Sequence, residues 1–303
     1  MPILDRLLPG VRAARVARPV VYRHLLPTRI WHWLNAAVIL VMLMSGPMIF
    51  NAHPRLYWGQ YGANPDYSWL QIGNLGEQGF LRVGDHAIHT TGVLGSWRGP
   101  GDQTVYTAFP GWLTIPSTYD LAGARHWHLT FAWLFVAAIV LYWIFGLGNR
   151  HIWRDMLPSS HELTPRHILE DIKNHALLRF PKGEAAQRYN TLQKLSYLGV
   201  VFVLIPLQIL TGLTMSPAMD AAWPWLLDVF GGRQSARSIH FIVAMLLVLF
   251  FLVHILMVVL VGPINEVWSM ITGNYRLPRE RRQWPASSHD ASSWRASPPG
   301  APP

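Results

Sequence analysis

Four long apolar runs divide this chain and predict its architecture. They lie at about 31–50, 126–147, 195–215 and 238–262. A helix needs about 20 predominantly apolar residues to cross a bilayer, so each run predicts a transmembrane span. The pattern therefore predicts an all-α integral membrane protein folded as a four-helix bundle.

Two further segments differ clearly from the apolar runs. The segment 51–125 is rich in glycine, proline and aromatic residues and has no helical period, which predicts a long ordered loop between the first two spans. Its tryptophans fit either an interfacial belt on the lipid headgroups or a docking surface for an external protein. Residues 263–303 form a tail that we expect to be disordered from about 285.

The basic residues predict the orientation of the spans. Nineteen of the 25 Lys and Arg residues lie in the segments 1–30, 148–194 and 263–303. The positive-inside rule places these segments in the cytoplasm, with both termini, and the loop 51–125 in the periplasm of a bacterial inner membrane. The net charge of +9 follows from this topology and does not indicate nucleic-acid binding.

The absence of cysteine limits the redox chemistry that the chain can support. It excludes disulfides, thiolate-bound iron–sulfur clusters and covalently attached heme. A metal centre must then be held by His, carboxylate or Met side chains. Heme b is the redox group that fits these ligands best.

The fourth run carries two histidines and no other ionisable residue. His240 and His254 are 14 residues apart, which places both on nearly the same helix face and about 21 Å apart along the axis. An imidazole in hydrocarbon is costly without a partner. A hydrogen bond to a neighbouring helix would satisfy either ring. Two hemes, each held by one of these histidines, would satisfy both.

The predicted topology sorts four histidines into two levels. His32 begins the first span at the cytoplasmic side, at the depth of His254. His128 begins the second span at the periplasmic side, at the depth of His240. This matching predicts two bis-histidine hemes, with a single heme as the alternative.

Other histidines are weaker candidates. His126 lies on nearly the opposite helix face from His128, so only one of the two can point into the bundle. His86 and His89 form an HxxH pattern, a weak zinc signal without cysteine or an acidic cluster nearby. The remaining candidates are interpreted as surface or interface residues: His53, His151, His161, His167 and His175.

The first and third spans carry a similar pattern. The first leads to LMSGPMI around Gly46, and the third leads to ILTGLTM around Gly212. This indicates either an internal duplication or the ordinary composition of membrane helices. Each glycine would let a flat macrocycle or a neighbouring backbone approach closely.

Several stretches resemble a known family. They are RIWHW at 29–33, RHWHLTFAW at 125–133, RYNTLQKLSY at 188–197, LTGLTMSP at 210–217 and GGRQSARSIHF at 231–241, followed by His254. They resemble the bacterial di-heme cytochrome b family, whose members are membrane subunits of nickel hydrogenases, formate dehydrogenases and thiosulfate-reductase-type molybdenum enzymes. The likeness covers most of residues 22–277 and is nearest to the thiosulfate reductase cytochrome b branch.

The resemblance implies two b hemes with His32, His128, His240 and His254 as ligands. It also implies electron exchange between a quinone pool and a periplasmic redox partner, often a molybdopterin oxidoreductase. The alternatives are a stand-alone quinone-linked superoxide oxidase or ferric reductase, and a heme-free transporter with polar histidine sites.

Basic residues at the helix mouths are further candidates for cofactor binding. Arg29 and Lys194 at the cytoplasmic side would pair with heme propionates or contact a quinone head, and Arg125 and Arg237 would do so at the periplasmic side. Snorkelling to the lipid headgroups is the alternative for each.

Overall fold

A computed structural model describes residues 20–149, 156–177 and 190–277 of the protein. The predicted disordered tail from about 285, most of the basic segment 1–30, His151 and the side chain of His175 lie outside the described residues. Within them, four helices are long and apolar enough to cross a membrane.

The described helices follow one another in a simple order. They are α1 (Leu26–Phe50), α2 (Leu121–Gly148), α3 (Pro165–Ala176), α4 (Thr191–Gly199), α5 (Ile205–Thr214), α6 (Pro217–Ala222), α7 (Trp225–Val229), α8 (Arg233–Val261) and α9 (Pro263–Thr272). Helices α1, α2 and α8 are each one span, and α4 and α5 together form the third. These spans overlap the four apolar runs, so the predicted helical membrane fold is confirmed.

The starts of the spans follow from local chemistry. A proline occupies the first turn of α1, where its missing N–H costs nothing. The Asp120 carboxylate caps α2 by accepting the Gly123 N–H at 2.9 Å. Asn190 and Gln193 form a reciprocal capping box at the start of α4.

The third span contains a π-helical turn at Val200–Leu204. Pro206 is the second residue after this turn, and a proline has no N–H to bond the carbonyl one turn earlier, so the regular α-helical ladder is interrupted here. The Ile205 N–H bonds instead to the Val200 carbonyl, five residues back. Beyond this turn, Gln208 and Thr211 are buried in the bundle.

The regular secondary structure between α1 and α2 is mainly β strand, so the prediction of an all-α chain is wrong here. Its strands are β2 (Arg55–Leu56), β3 (Leu70–Leu75), β4 (Gln78–Val83), β5 (His86–His89), β6 (Trp97–Arg98) and β7 (Thr104–Val105), after β1 (Val20–Tyr22) near the start of the described chain. Strands β2, β3, β4 and β5 form one antiparallel sheet in that order, and β6 pairs with β7.

Two tight hairpins explain this sheet. The β3–β4 and β4–β5 turns each have two residues, and each begins with a glycine at positive φ, Gly76 at 58° and Gly84 at 59°. Glycine adopts this conformation without the steric cost that other residues incur. Leu70 and Ile72 alternate inward along β3 and are buried. These glycines and this alternation are hairpin signals rather than loop signals.

The sheet is fixed to one end of the bundle, which we call the outer end; the opposite end is the inner end. Leu56, Leu70 and Ile72 form a buried cluster with Phe50 at the end of α1, and Phe241 of α8 packs against it. The Trp69 indole donates to the Ser238 hydroxyl at 2.9 Å. The sheet therefore contacts the helix turn that carries His240.

At the inner end, the chain before α1 meets the chain after α9. Strand β1 pairs antiparallel with β8 (Asn274–Arg276). The Arg23 guanidinium lies 3.4 Å from the Glu266 carboxylate. Between the two ends, the core of the bundle is built from α1, α2 and the third span, with Val38, Ile139 and Ile205 among its buried residues.

Candidate functional site

The structure brings together the two histidine pairs that the sequence predicts. At the inner end, the rings of His32 and His254 have centroids 6.2 Å apart and planes at 67°. At the outer end, His128 and His240 have centroids 6.4 Å apart and planes at 63°. Each pair joins α8 to one other span, so α8 carries one histidine of each pair.

These separations fit an iron atom between two imidazoles. A metal–nitrogen bond is about 2.0 Å long and each ring nitrogen lies about 1.2 Å from its ring centre, so two imidazoles that hold one iron between them would have centres about 6.4 Å apart. Both observed separations, 6.2 and 6.4 Å, agree with this value. The donor set is also appropriate, because neutral imidazole is a common axial ligand of heme iron.

A serine of α1 orients the ring of His128. The Ser45 hydroxyl lies 3.0 Å from His128 Nδ1 and donates to the Val41 carbonyl at 2.8 Å. The next residue, Gly46, faces the same ring, and a Cβ there would lie 3.7 Å from His128 Cε1. The Ser45 hydroxyl fixes the orientation of the imidazole, and Gly46 lets the ring approach α1 closely.

A threonine of α5 does the same for His240. The Thr211 hydroxyl lies 3.1 Å from His240 Nδ1 and donates to the Leu207 carbonyl at 2.7 Å. A Cβ at Gly212 would lie 3.3 Å from His240 Cε1. The similar pattern in the first and third spans is therefore one structural device used twice, a hydroxyl residue followed by glycine against an outer histidine.

Gln208 occupies the other side of His240. Its amide Nε2 lies 2.9 Å from His240 Nε2, and its buried Oε1 has no hydrogen-bond partner in the described part of the chain. An amide nitrogen can only donate, so His240 Nε2 is the accepting nitrogen of this ring. Iron binding at this nitrogen requires the amide to move aside.

Aromatic side chains surround the inner pair. Trp33 stacks on His32 with ring centres 5.2 Å apart, and Phe250 stacks on His254 at 6.2 Å. Among the described residues, neither inner ring has a hydrogen-bonding partner. The inner pair thus differs from the outer pair, whose two Nδ1 atoms both have one.

Three of the four predicted basic residues bind protein groups, and Arg237 and Lys194 are two of them. Arg237 donates to the carbonyls of His53 at 2.5 Å and Arg55 at 3.0 Å, and so joins α8 to the sheet. Lys194 bonds the Glu162 carboxylate at 2.9 Å. The pKa of Glu162 falls to about 2 because the Ser159 N–H bonds the carboxylate and Lys194 adds a further hydrogen bond and a positive charge.

The other two predicted basic residues differ from each other. Arg125 is exposed at the start of α2. Arg29 donates to the Ile271 carbonyl, while its buried Nε has no partner within the ranges that the structure describes.

Weaker histidine candidates do not join the site. His126 is exposed on α2. His86 and His89 are three residues apart on strand β5, so their side chains leave opposite faces of the sheet. Within the described residues, no group of three or more His, Cys, Asp or Glu side chains could hold a metal ion.

A groove of about 480 Å³ lies at the inner end, between the start of α1 and α9. Its walls are mostly apolar, and Arg29 and Trp33 supply its polar atoms. The full lining is Leu26, Arg29, Ile30, Trp33, Leu34, Met270 and Ile271. Trp33 also stacks on His32, so this one side chain contacts both the groove and the inner histidine pair.

Comparison with known proteins identifies the family of the chain. A family model described as prokaryotic cytochrome b561 matches residues 23–273. The chain belongs to this family. It is also similar to the putative protein-methionine-sulfoxide reductase subunit YedZ1 of Azospira oryzae, with 25% identity over 249 residues that cover 81% of this chain and 93% of the relative. No solved structure matches the chain significantly.

The family settles the general character of the protein. It is a multi-pass inner-membrane cytochrome b561 that transfers electrons and uses heme b. The resemblance to bacterial membrane cytochromes b is thereby confirmed. The thiosulfate reductase branch stays a prediction.

Four residues of this site were not predicted from the sequence. Trp33 directly follows His32 in the sequence, and this adjacency is its signal. Ser45 and Thr211 each directly precede one of the two glycines, Gly46 and Gly212, that the sequence analysis singles out. Gln208 had a clear signal too, because it is an uncharged polar residue within a transmembrane run.

Proposed function

We propose that this cytochrome is a di-heme electron conduit between the quinone pool and a periplasmic redox protein. The observation that carries the proposal is the presence of two apposed histidine pairs, with ring separations of 6.2 and 6.4 Å, on one uninterrupted helix. The spacing of 14 residues separates the two levels by about 21 Å along the axis of α8. This separation is about two thirds of the thickness of the hydrocarbon core, which is about 30 Å.

The four histidines form two pairs at different depths, and each pair would hold one heme. His32 and His254 would hold the inner heme, and His128 and His240 the outer heme. When bound, heme supplies reversible one-electron transfer at its iron. The protein supplies the axial nitrogens, a fixed separation and an apolar surrounding that excludes water.

The groove at the inner end supports a quinone site there. Its apolar walls suit a quinone ring and the start of an isoprenoid tail. Arg29 lines this groove, and its Nε has no hydrogen-bond partner among the described residues. Trp33 contacts both the groove and the ring of His32, so a bound quinone would lie one side chain away from the inner heme.

The outer sheet supports a separate protein partner. Leu75, Val83 and Ile88 are exposed on it and would be available to a partner. The description of the Azospira relative as a reductase subunit also favours an assembly with a separate catalytic protein. We propose that this partner is a periplasmic oxidoreductase of the molybdopterin class. We also propose that both termini of this chain lie in the cytoplasm.

Heme stoichiometry and quinol reduction test the proposal together. The purified protein should contain two b hemes per chain, both low-spin, and a soluble quinol analogue should reduce them. One heme per chain, or a high-spin ferric spectrum, would remove one histidine pair from the assignment. A protein that lacks bound partner and reacts directly with superoxide or ferric chelates would favour the stand-alone enzyme.

The absence of cysteine makes the orientation easy to test. Single cysteines placed at Glu77 in the β3–β4 turn and at Asn274 in β8 have no native thiol to compete with them. An impermeant thiol reagent should label the first from the periplasm and leave the second unlabelled in intact cells. The reverse labelling would invert the proposed topology.

A further inference from the structure

We infer that Ser45 and Thr211 are positioning residues for the outer heme: each hydroxyl accepts the Nδ1 proton of one outer histidine and so leaves Nε2 free to bind iron. The inference rests on the proposed function, because it takes His128 and His240 as ligands. It adds the residues that determine which ring nitrogen binds and how strongly it donates.

The position of each hydroxyl proton decides the direction of these hydrogen bonds. A hydroxyl has one proton, and the carbonyl of the residue four positions earlier can only accept it. Ser45 donates to Val41 at 2.8 Å, and Thr211 donates to Leu207 at 2.7 Å. Each hydroxyl oxygen can then accept from a histidine, so the shared proton lies on Nδ1.

Gln208 gives an independent reason for the same tautomer at His240. Its Nε2 donates to His240 Nε2 at 2.9 Å, so that nitrogen carries a lone pair. A neutral imidazole has one N–H, which must be on Nδ1, facing Thr211 at 3.1 Å. Two neighbours on different sides of the ring therefore fix one proton position.

Burial makes these contacts obligatory. Ser45 and Thr211 are both 0% exposed, and water is not available to replace either partner. A buried polar group without a partner is strongly unfavourable, so the ring and hydroxyl are held together. Gly46 and Gly212 leave room for the rings at this distance.

The inner and outer histidine pairs differ in their hydrogen bonds. Within the described residues, the inner rings of His32 and His254 stack on aromatic side chains and have no hydrogen-bonding partner. A hydrogen bond from Nδ1–H makes the opposite nitrogen a stronger donor, which favours the oxidised metal. The hydroxyls should therefore lower the midpoint potential of the outer heme and leave the inner heme unaffected.

Potentiometric titration of the full-length protein tests this inference. Thr211→Val is nearly isosteric and removes the hydroxyl, and Ser45→Ala removes the other. In each variant, one of the two midpoint potentials should shift upward while the second stays at its native value. The double variant should shift the same potential further. The inner heme serves as an internal reference within every sample.

Two control variants separate this role from general packing. Thr214 lies one turn beyond Thr211 and is also buried, but among the described residues its hydroxyl bonds only the Thr211 carbonyl, at 2.6 Å. Thr214→Val should therefore leave both potentials native. Thr211→Ser keeps the hydroxyl and should restore the native outer potential.

The possible results are distinct. If Thr211→Val instead loses half the heme while Thr211→Ser and Thr214→Val keep it, the positioning role is also supported. If Thr211→Val holds two hemes with both potentials unchanged, or if Thr214→Val shifts them equally, the inference is wrong and the di-heme function stands. If His240→Ala keeps all of its heme, the ligand assignment fails, and the inference fails with it.

Discussion

The indole of Trp33 stacks on the imidazole of His32, with ring centres 5.2 Å apart and planes within 12° of parallel. The same indole donates to the Met270 carbonyl at 3.1 Å and lines the inner groove. One side chain thus connects α9, the groove and the inner histidine pair.

Replacing this indole should slow the reaction with quinol without removing heme. Trp33→Ala deletes a wall of the groove, so a bound quinol would be less well positioned, and misplacement of about 1 Å can cost about 100-fold in rate. We expect reduction by a quinol analogue in stopped-flow measurements to slow at least tenfold. Reduction by dithionite should remain at the native rate.

Trp133 offers a matched control for this experiment. It is also a tryptophan on a span and is 57% exposed, but it does not line the groove. Trp133→Ala should leave quinol reduction native. Equal slowing in both variants would mean that the groove is not the quinone site.

The two histidines of α8 should serve different hemes. His254→Ala should lose about half the heme and the reaction with quinol, while the remaining outer heme stays reducible by an external donor. His240→Ala should lose the other half and keep reduction by quinol. Because heme stabilises the folded bundle, the variants must be compared at equal folded yield. Loss of the same heme in both variants would contradict the two-level assignment.

The two outer glycines should respond differently to alanine. A Cβ at Gly212 would lie 3.3 Å from the ring of His240, which Thr211 and Gln208 hold in place, so the ring cannot easily give way. Overpacking of this kind costs roughly 1–3 kcal/mol. At Gly46 the corresponding distance to His128 is 3.7 Å, an ordinary contact.

Heme content and thermal stability measure this difference. Gly212→Ala should lower the melting temperature and weaken retention of the outer heme. Gly46→Ala should be neutral or slightly stabilising, because alanine favours the helix by about 1 kcal/mol over glycine. A larger loss of stability and heme in Gly46→Ala than in Gly212→Ala would show that the His240 ring moves aside more readily than its hydrogen bonds suggest.

His24 should make the inner end sensitive to acid. Its pKa falls from 6.5 to about 4 because burial disfavours the charged ring and Arg23, His32 and Arg29 oppose a further positive charge. Between these two values the unfolded chain binds a proton that the folded chain does not, so stability falls as the pH decreases through this window.

Thermal denaturation at pH 7.5 and pH 5 checks this expectation. His24→Gln removes the titrating group, so the variant should lose less stability than the native protein between the two conditions. The two proteins should differ little in acid sensitivity above pH 7. An identical decrease in both proteins would assign the acid sensitivity to other groups.

The sequence predicted the spans and the histidine pairing because both follow from periodicity and length. A span is a local property, and a histidine has a depth once the topology is known. The sheet was missed because β3 and β4 contain glycines and lie in a segment rich in turn residues. The two-residue turns beginning at Gly76 and Gly84 are the signal that would have found it.

The partners of the basic residues could not be predicted in the same way. Lys194 and Glu162 are 32 residues apart, and Arg237 reaches carbonyls more than 180 residues away. Such contacts depend on how α3, α4 and the sheet are placed in three dimensions. Charge at a helix mouth predicts a need for a partner and does not identify it.

The unbroken course of α8 limits where the protein can be regulated. Between Arg233 and Val261 this helix contains neither proline nor glycine, so His240 and His254 are fixed to one rigid rod. On the proposed function, the tunnelling distance between the two redox centres is then a constant of the fold. Conformational gating must act at either end, at the entry of quinone beside Trp33 or at the sheet held by Arg237.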